Sequence, residues 1–239
     1  MAKIAIIGYG NVGYHLAKAL SFDHHVSIYG RMPTHEVNDL NTFTADGYDF
    51  ILVTVSDDAI KSVATSFQTR SSIVLHTSGS RPLSDLSGHE RRGVIYPLQT
   101  FSKDKKVKYE ELQLFLESTP GIEDQVEALA SCMSTNLRFI DSVSRAKVHL
   151  AAVFACNFSN HMYHIASSIL EEVDLSFKDI QGLVEETLTK ALEISPKLAQ
   201  TGPAKRSDVS TLALHENLIK DDRVKEIYRL ISQDIQQTK

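Results

Sequence analysis

Cysteine is scarce in this chain of 239 residues, which contains only Cys132 and Cys156. The two thiols show neither a pairing signature nor the spacing of metal ligands, on which disulfide scaffolds and zinc sites depend. No group of His, Asp or Glu residues has the spacing of a metal site either. The sequence therefore disfavours a disulfide framework and predicts no bound metal.

Positive charge and long apolar runs are also in short supply. The formal net charge is -5, which leaves no basic surface for nucleic acid. No apolar run reaches the roughly 18 residues of a membrane span, and the first run is too short for the core of a signal peptide. We therefore expect a cytoplasmic protein that binds neither nucleic acid nor membranes.

The chain does contain an informative glycine pattern near its start. The sequence KIAIIGYGNVG places three glycines directly after a short apolar run. The first glycine permits a tight turn, the second lets a pyrophosphate approach the backbone, and the third lets the next helix pack on the strand. A helical pattern and a second strand at residues 26–29 follow, so we predict a dinucleotide site rather than a turn without a ligand. Its predicted residues are Gly8, Tyr9, Gly10, Asn11, Val12 and Gly13.

The end of the second predicted strand indicates which dinucleotide binds. The strand ends at Tyr29 and is followed by Gly30 and Arg31, and the nearest carboxylate, Glu36, lies beyond Pro33. Enzymes specific for NAD place an acidic residue here, whereas an arginine can pair with a 2′-phosphate. We therefore predict NADP as the cofactor, with Gly30 and Arg31 in its site. The alternative is that Arg31 is a solvated loop residue.

The spacing of apolar runs predicts two domains. Runs at residues 50–55, 72–75, 93–96, 113–117 and 137–140 alternate with helical or loop segments, which is typical of a mainly parallel sheet covered by helices. After residue 142 the pattern is helical throughout, beginning with one long helix over residues 144–173. We therefore expect an α/β, Rossmann-like domain over residues 1–142 and an all-α domain over residues 143–239.

Three polar loops follow predicted strands of the first domain, and ligands of open parallel sheets bind at these strand ends. We predict that the loops hold both the cofactor and the substrate. Asp57 and Asp58 are more simply explained as helix caps, and the Ser-Gly-Ser turn at residues 78–80 has turn chemistry as its alternative. The predicted cofactor residues are Thr54, Val55, Ser56 and Thr77, and the predicted substrate residues are Ser78, Gly79 and Gln99.

The predicted long helix carries polar residues among apolar ones. Its apolar and small residues occur on every side, which predicts a helix that is buried all round. At about 100° per residue, His149, Asn160, His164 and Asn157 fall on one face within roughly 80° of each other. We predict that His149 donates a proton while Asn157 and Asn160 orient a substrate oxygen. The alternative is that these residues form interhelical hydrogen bonds or a dimer contact.

Lys147 is a competing proton donor on the same helix. Its direction differs from that of His149 by roughly 160°, so the two residues are poor partners in one site. We therefore expect Lys147 to lie on the surface.

The order of several motifs resembles a known family. The motifs are GYGNVG, HTSGS, YPLQTF, KVHLAAVFACNFSNHM and TGPAKRSD followed by LHE. They resemble the NADP oxidoreductases that join a Rossmann-like domain to a C-terminal helical domain of unassigned function. That group is similar to 6-phosphogluconate dehydrogenase, pyrroline-5-carboxylate reductase, ketopantoate reductase and deazaflavin-dependent NADP oxidoreductase. The resemblance covers nearly the whole chain and implies NADP binding, an interdomain cleft and a homodimer formed through the C-terminal helices.

The similarity to ketopantoate reductases is partial. Those enzymes carry a lysine on the first long helix of the second domain, followed by asparagines four and eight residues later. Alignment on Asn157 puts His149 at the lysine's position and Val153 at the first asparagine's. Arg206, in the other shared motif, is predicted to bind a substrate carboxylate, with a capping or ion-pair role beside Asp208 as the alternative.

These observations predict an NADP-dependent oxidoreductase that acts on a small molecule at the interdomain cleft. It would transfer a hydride between NADPH and a small carbonyl or imine, such as the 2-oxo acid ketopantoate. The alternative from another class is a non-catalytic NADP(H)-binding regulatory or sensor protein. A third alternative is a scaffold that no longer binds a nucleotide.

Overall fold

The computed structural model describes residues 1–238, which divide into two compact units. The first unit is Met1–Ala155, and the second begins at Cys156. Helix α4, Ser142–Ala152, groups with the first unit. The division at residue 142 that the sequence indicates would assign this helix to the second domain, and it stays a prediction.

The first unit is built on an eight-stranded sheet. The strand order is β3-β2-β1-β4-β5-β6-β7-β8. The chain therefore adds β2 and β3 on one side of β1 and then adds β4 to β8 on the other side. The strands are β1 Lys3–Ile7, β2 His25–Gly30, β3 Asn38–Asp39, β4 Phe50–Val53, β5 Ile73–His76, β6 Arg92–Pro97, β7 Leu114–Ser118 and β8 Leu137–Phe139. The mainly parallel, Rossmann-like α/β fold is confirmed.

One pair of neighbouring strands is antiparallel. β7 runs against β6, with Gly93 opposite Ser118 and Pro97 opposite Leu114, whereas the other six pairings are parallel. The connection between these two strands contains only a short 3-10 turn, Tyr109–Glu111. Because the two strands run in opposite directions, the chain re-enters the sheet from the edge it has just left.

Apolar side chains cover both faces of the sheet. Along β1, Ile4 and Ile6 belong to one buried cluster, while Ala5 and Ile7 belong to another, as the alternation of a strand requires. The first cluster includes α1 and α3, and the second includes α2. These helices are α1 Asn11–Leu20, α2 Ile60–Thr65 and α3 Glu123–Ser131. The sheet is therefore a rigid base for the loops at its strand ends.

The second unit is helical. Its helices are α5 Ser159–Glu171, α6 Gln181–Ile194, α7 Pro196–Ala199, α8 Val209–Leu218 and α9 Asp222–Gln237. A break separates α6 from α7 at Ser195, whose φ of 78° is incompatible with a right-handed helix. Within residues 1–238, none of the helices combines the length and the apolar character that a membrane span requires.

The predicted single helix over residues 144–173 is wrong in one respect. A π-helical segment, Val153–Phe158, separates α4 from α5. Its hydrogen bonds span five residues rather than four, so each turn contains more residues than an α-helical turn. A constant rotation of about 100° per residue therefore fails across this segment.

The expectation that this helix is buried all round is also wrong for the isolated chain. Phe154 is 62% exposed and Phe158 is 49% exposed. Among residues 156–238, only Ala204 is buried. The helices of the second unit therefore carry many apolar side chains that they do not bury among themselves.

Candidate functional site

The glycine turn lies between β1 and α1, where the strand order changes direction. Gly8 has a φ of +106°, which favours glycine, and a Cβ on Gly13 would overlap the Gly8 carbonyl oxygen. Thr54, directly after β4, donates its hydroxyl to the Gly8 carbonyl oxygen at 2.7 Å and is buried. Two neighbouring strands therefore fix this turn, and the structure brings Thr54 to it, while cofactor binding by Thr54 stays a prediction.

The turn can accommodate an anion. A Cβ built on Gly10 would meet no atom within 4 Å, so the space in front of this residue is open. Gly10 is also the N-cap of α1, no side chain caps this helix, and its first turn contains no acidic residue. Uncapped N–H groups and the helix dipole attract negative charge. The residues present therefore fit the pyrophosphate of a dinucleotide.

The loop after β2 corrects one premise of the cofactor prediction. Glu36 does not lie away from the glycine turn, because its carboxylate accepts a hydrogen bond from the Tyr9 hydroxyl at 3.3 Å. The loop folds back through Thr34, whose N–H donates to the Val37 carbonyl oxygen and whose hydroxyl oxygen accepts from the Glu36 N–H. Burial, followed by the charge of Glu36, raises the pKa of Tyr9. Arg31 is exposed, so both a cation and a carboxylate lie near the end of β2.

The Ser-Gly-Ser turn follows β5. The Ser78 hydroxyl oxygen accepts from the N–H groups of Ser80 and Arg81 at 3.1 and 3.0 Å. Ser80 donates its hydroxyl to the Asp57 carboxylate at 2.6 Å, which joins this turn to the loop after β4. The side chain of Ser78 therefore stabilises the turn, and a substrate contact by Ser78 stays a prediction.

His76, at the end of β5, is fully buried and supports the same turn. Its Nδ1 accepts a hydrogen bond from the Ser78 N–H at 3.1 Å. Burial, together with the nearby positive charge of Arg145, lowers the pKa of His76 to about 4. At neutral pH this histidine is uncharged, so it is a structural acceptor rather than a proton donor.

His149 lies against this turn within the first unit. Its Nδ1 is 3.1 Å from the Tyr96 hydroxyl, and the two rings meet edge to face with centroids 5.9 Å apart. A Cβ on Gly79 would come within 2.6 Å of the Tyr96 ring and 2.8 Å of the His149 Nδ1. Glycine at this position therefore lets the two rings approach the turn, and the predicted residues Gly79 and His149 are adjacent.

The same helix carries a buried arginine that the sequence reasoning missed. Arg145 is 0% exposed and is paired with Glu117 of β7. It also donates to the Ser78 carbonyl oxygen at 3.2 Å and to the Arg81 carbonyl oxygen at 2.7 Å. One guanidinium thus joins β7, the Ser-Gly-Ser turn and α4. The clue was its position four residues before His149, on the same face of the helix.

The remaining proposed site residues are distributed over both units. Val55 and Thr77 are half-buried and Ser56 and Gln99 are exposed, all in loops that follow β4, β5 and β6. Lys147 is exposed on α4. Asn157, within the π-helical segment, and Asn160, beyond it on α5, both belong to the second unit, so their shared face with His149 stays a prediction.

Arg206 is exposed in the second unit. It lies near the start of α8, where the Asp208 carboxylate accepts hydrogen bonds from the N–H and the hydroxyl of Thr211. These hydrogen bonds, with the charge of Arg206 as a smaller cause, lower the pKa of Asp208. Asp208 is therefore the cap of α8, and a substrate contact by Arg206 stays a prediction.

A comparison with protein families identifies the chain. Residues 112–235, from just before β7 into α9, match DUF2520, a domain of unknown function. The chain belongs to this family. No curated protein matches the chain.

Several solved structures are similar to this chain. A Bacteroides fragilis protein provisionally assigned as an NADP oxidoreductase is 32% identical, with 99% of this chain and 98% of that chain covered and a TM-score of 0.86. A Streptomyces aurantiacus imine reductase is 13% identical over 98% of this chain and 93% of its own, with a TM-score of 0.71. An Aspergillus terreus reductive aminase, solved with NADPH and ethyl levulinate, is 14% identical over 99% and 93%, with a TM-score of 0.73. The last two similarities concern the fold, and the first confirms the resemblance stated from the sequence motifs.

Proposed function

We propose that this member of the DUF2520 family is an NADP-dependent reductase of a small carbonyl or imine, such as a 2-oxo acid. The observation that carries the proposal is the placement of two features along one sheet. An open, uncapped glycine turn follows β1, and the His149–Tyr96 pair lies beside the turn that follows β5. Ligands of such sheets bind at these strand ends. The oxidoreductases among the structural neighbours support the same chemistry.

The cofactor would be held by the glycine turn and by the loop after β2. The N–H groups at the start of α1 would bind the pyrophosphate. Arg31 would pair with the 2′-phosphate, and Glu36 would have to lie away from that phosphate. Bound NADPH supplies the hydride that reduces the carbonyl or imine carbon.

His149 would supply the proton. The Tyr96 hydroxyl holds Nδ1 of the imidazole, which leaves Nε2 as the nitrogen that donates to the substrate oxygen or nitrogen. Imidazole suits this role because its ordinary pKa lies close to neutral pH. Asn157 and Asn160 would orient the substrate, as the sequence analysis predicts. The Arg145 guanidinium holds α4 against the Ser-Gly-Ser turn. It therefore positions His149, one helical turn later, beside the same turn.

Titration with NADPH and a subsequent substrate screen test the proposal. We expect the protein to change the fluorescence of NADPH on binding and then to oxidise it with at least one small 2-oxo acid or imine. Absorbance of the reduced nicotinamide measures the second step. Binding without oxidation by any member of a broad carbonyl and imine panel would favour a sensor. The absence of binding would contradict both readings.

A homodimer formed through the C-terminal helices completes the proposal. Leu183 is 68% exposed, Leu188 is 60% exposed and Leu192 is 79% exposed, all on α6. An apolar cavity of about 340 Å³ between α5, α8 and α9 adds to this unburied surface. Monomeric proteins rarely expose large contiguous apolar patches, and a second copy of the same helices is a self-complementary cover for exposed apolar side chains.

We expect light scattering coupled to size-exclusion chromatography to give twice the mass of one chain. Leu188→Glu should shift the protein towards the monomer or make it aggregate, because it places a charge in the shared apolar surface. Lys197→Glu, at an exposed position of α7, is the control and should leave the mass unchanged. A wild-type protein that stays monomeric at high concentration would contradict the dimer.

A further inference from the structure

The connection between β6 and β7 carries a lysine to the glycine turn. We call residues 98–112 the strap. Within it, the ammonium group of Lys103 donates a hydrogen bond to the Tyr9 carbonyl oxygen at 2.9 Å. It also lies 4.7 Å from the centre of the Tyr9 ring and 5.6 Å from that of Tyr14. A residue distant in sequence therefore places a positive charge beside the turn that precedes α1.

His15 fixes the strap on α1. This histidine is 2% exposed, and its Nε2 lies 2.9 Å from the Ser102 carbonyl oxygen, which can only accept a hydrogen bond. Its Nδ1 is 3.0 Å from the Tyr109 hydroxyl, and its ring stacks on Phe101 with centroids 4.9 Å apart. Both ring nitrogens of one buried residue thus contact the strap. Because Ser102 directly precedes Lys103, this contact determines where the lysine lies.

From this geometry we infer that Lys103 is a phosphate-binding residue, which contacts the pyrophosphate of the dinucleotide. The inference rests on the proposed function. An ammonium group has three donors, and Tyr9 occupies one of them, so two remain for phosphate oxygens. Tyr9 lies between Gly8 and Gly10, directly before the uncapped start of α1. The ammonium group would add a full charge to the partial charge of the helix N-terminus.

The surrounding charges favour the pyrophosphate over the 2′-phosphate. Glu36 reaches the far end of the Tyr9 side chain, at the hydroxyl, whereas Lys103 contacts the main chain of the same residue. Arg31 lies at the end of β2, where the ribose of a dinucleotide is held. Asp104 is next to Lys103 but is exposed, and α1 has no acid in its first turn. Lys103 should therefore affect NADPH and NADH alike, whereas Arg31 should affect NADPH alone.

Equilibrium titration of NADPH and NADH into purified variants tests the inference without a substrate. Lys103→Gln should raise the dissociation constants of both dinucleotides by about tenfold, as expected for a lost charge-assisted hydrogen bond. Lys103→Arg keeps the charge and should retain most of the affinity. Lys106→Gln removes the same charge from an exposed position of the same strap and should have little effect. Thermal denaturation of each variant should match the wild type, because Lys103 is exposed.

Two further measurements show whether the loss of affinity in Lys103→Gln is electrostatic and which phosphate of the dinucleotide it concerns. Raising the salt from about 0.05 to about 0.5 M should shrink the difference between wild type and Lys103→Gln, because the contact is electrostatic. Arg31→Ala should weaken NADPH much more than NADH. Unchanged affinities in Lys103→Gln, or a loss confined to NADPH, would overturn the pyrophosphate contact while the proposed function stands. A wild-type protein that binds neither dinucleotide would overturn both.

Discussion

Replacing His149 with alanine should lower turnover by about 10²–10⁴-fold, the range expected when a general acid is lost. The imidazole lies at the Ser-Gly-Ser turn, held by the Tyr96 hydroxyl at 3.1 Å. The glycine turn is formed by other residues, Gly8 and Thr54 among them. We therefore expect NADPH affinity to be unchanged in this variant. Steady-state assays with the best substrate of the screen measure the first quantity, and fluorescence titration measures the second.

Two further variants make this experiment specific. Lys147→Ala removes the competing candidate for the proton donor on α4, and its exposed position predicts almost full activity. Tyr96→Phe keeps the aromatic ring but removes the hydroxyl that contacts Nδ1, so turnover should fall less than in His149→Ala and its pH profile should shift. If Lys147→Ala abolishes turnover and His149→Ala does not, the assignment of the proton donor is wrong.

Replacing Arg145 with methionine should lower the free energy of unfolding by about 3–5 kcal/mol, the range for breaking a buried ion pair. The guanidinium is fully buried and is bonded to the Glu117 carboxylate and to the carbonyl oxygens of Ser78 and Arg81. Methionine fills similar volume but leaves these acceptors without their donor. Urea denaturation followed by circular dichroism measures the loss.

The ion pair provides its own control. The double variant Arg145→Met, Glu117→Gln removes the unpaired carboxylate, so it should be more stable than Arg145→Met alone. It should stay below the wild type because the two carbonyl oxygens still lack a donor. Lys147→Met, on the exposed side of α4, should change the stability by less than about 0.5 kcal/mol. Wild-type stability in Arg145→Met would contradict the structural role of this residue.

The sequence predicts the first half of the molecule well because the relevant information there is local. The strand from Lys3 to Ile7, the three glycines and α1 follow one another within 20 residues, and each has its own periodicity or backbone requirement. Thr54 and Gly79 could be placed for a related reason, since parallel strands end at the same edge of a sheet. The direction of β7 was not predictable in this way, because an isolated apolar run does not reveal which way it pairs.

The features that escaped prediction depend on contacts between distant residues or on a change of helical period. Arg145 hydrogen-bonds to Glu117 and to the Ser78 carbonyl oxygen. Lys103 hydrogen-bonds to Tyr9, from which it is separated by 94 positions in the sequence. No local pattern in the sequence specifies such pairs. Glu36 was misplaced because the turn at Thr34 brings it back towards Tyr9. The π-helical segment Val153–Phe158 changes the rotation per residue without any glycine or proline to indicate it.

The reversal of β7 determines the direction in which α4 travels. In an ordinary strand-helix crossover, the helix leaves the ligand-binding edge and runs away from it. Here β8 is parallel to β7, so it ends at the opposite edge of the sheet. Helix α4 therefore runs from that edge towards the ligand-binding edge. Arg145 accordingly meets Glu117, which is paired with Val94, and one turn later His149 reaches Tyr96, two residues further along β6. A helix that starts at the opposite edge can therefore place a side chain of its later turns at the ligand-binding edge.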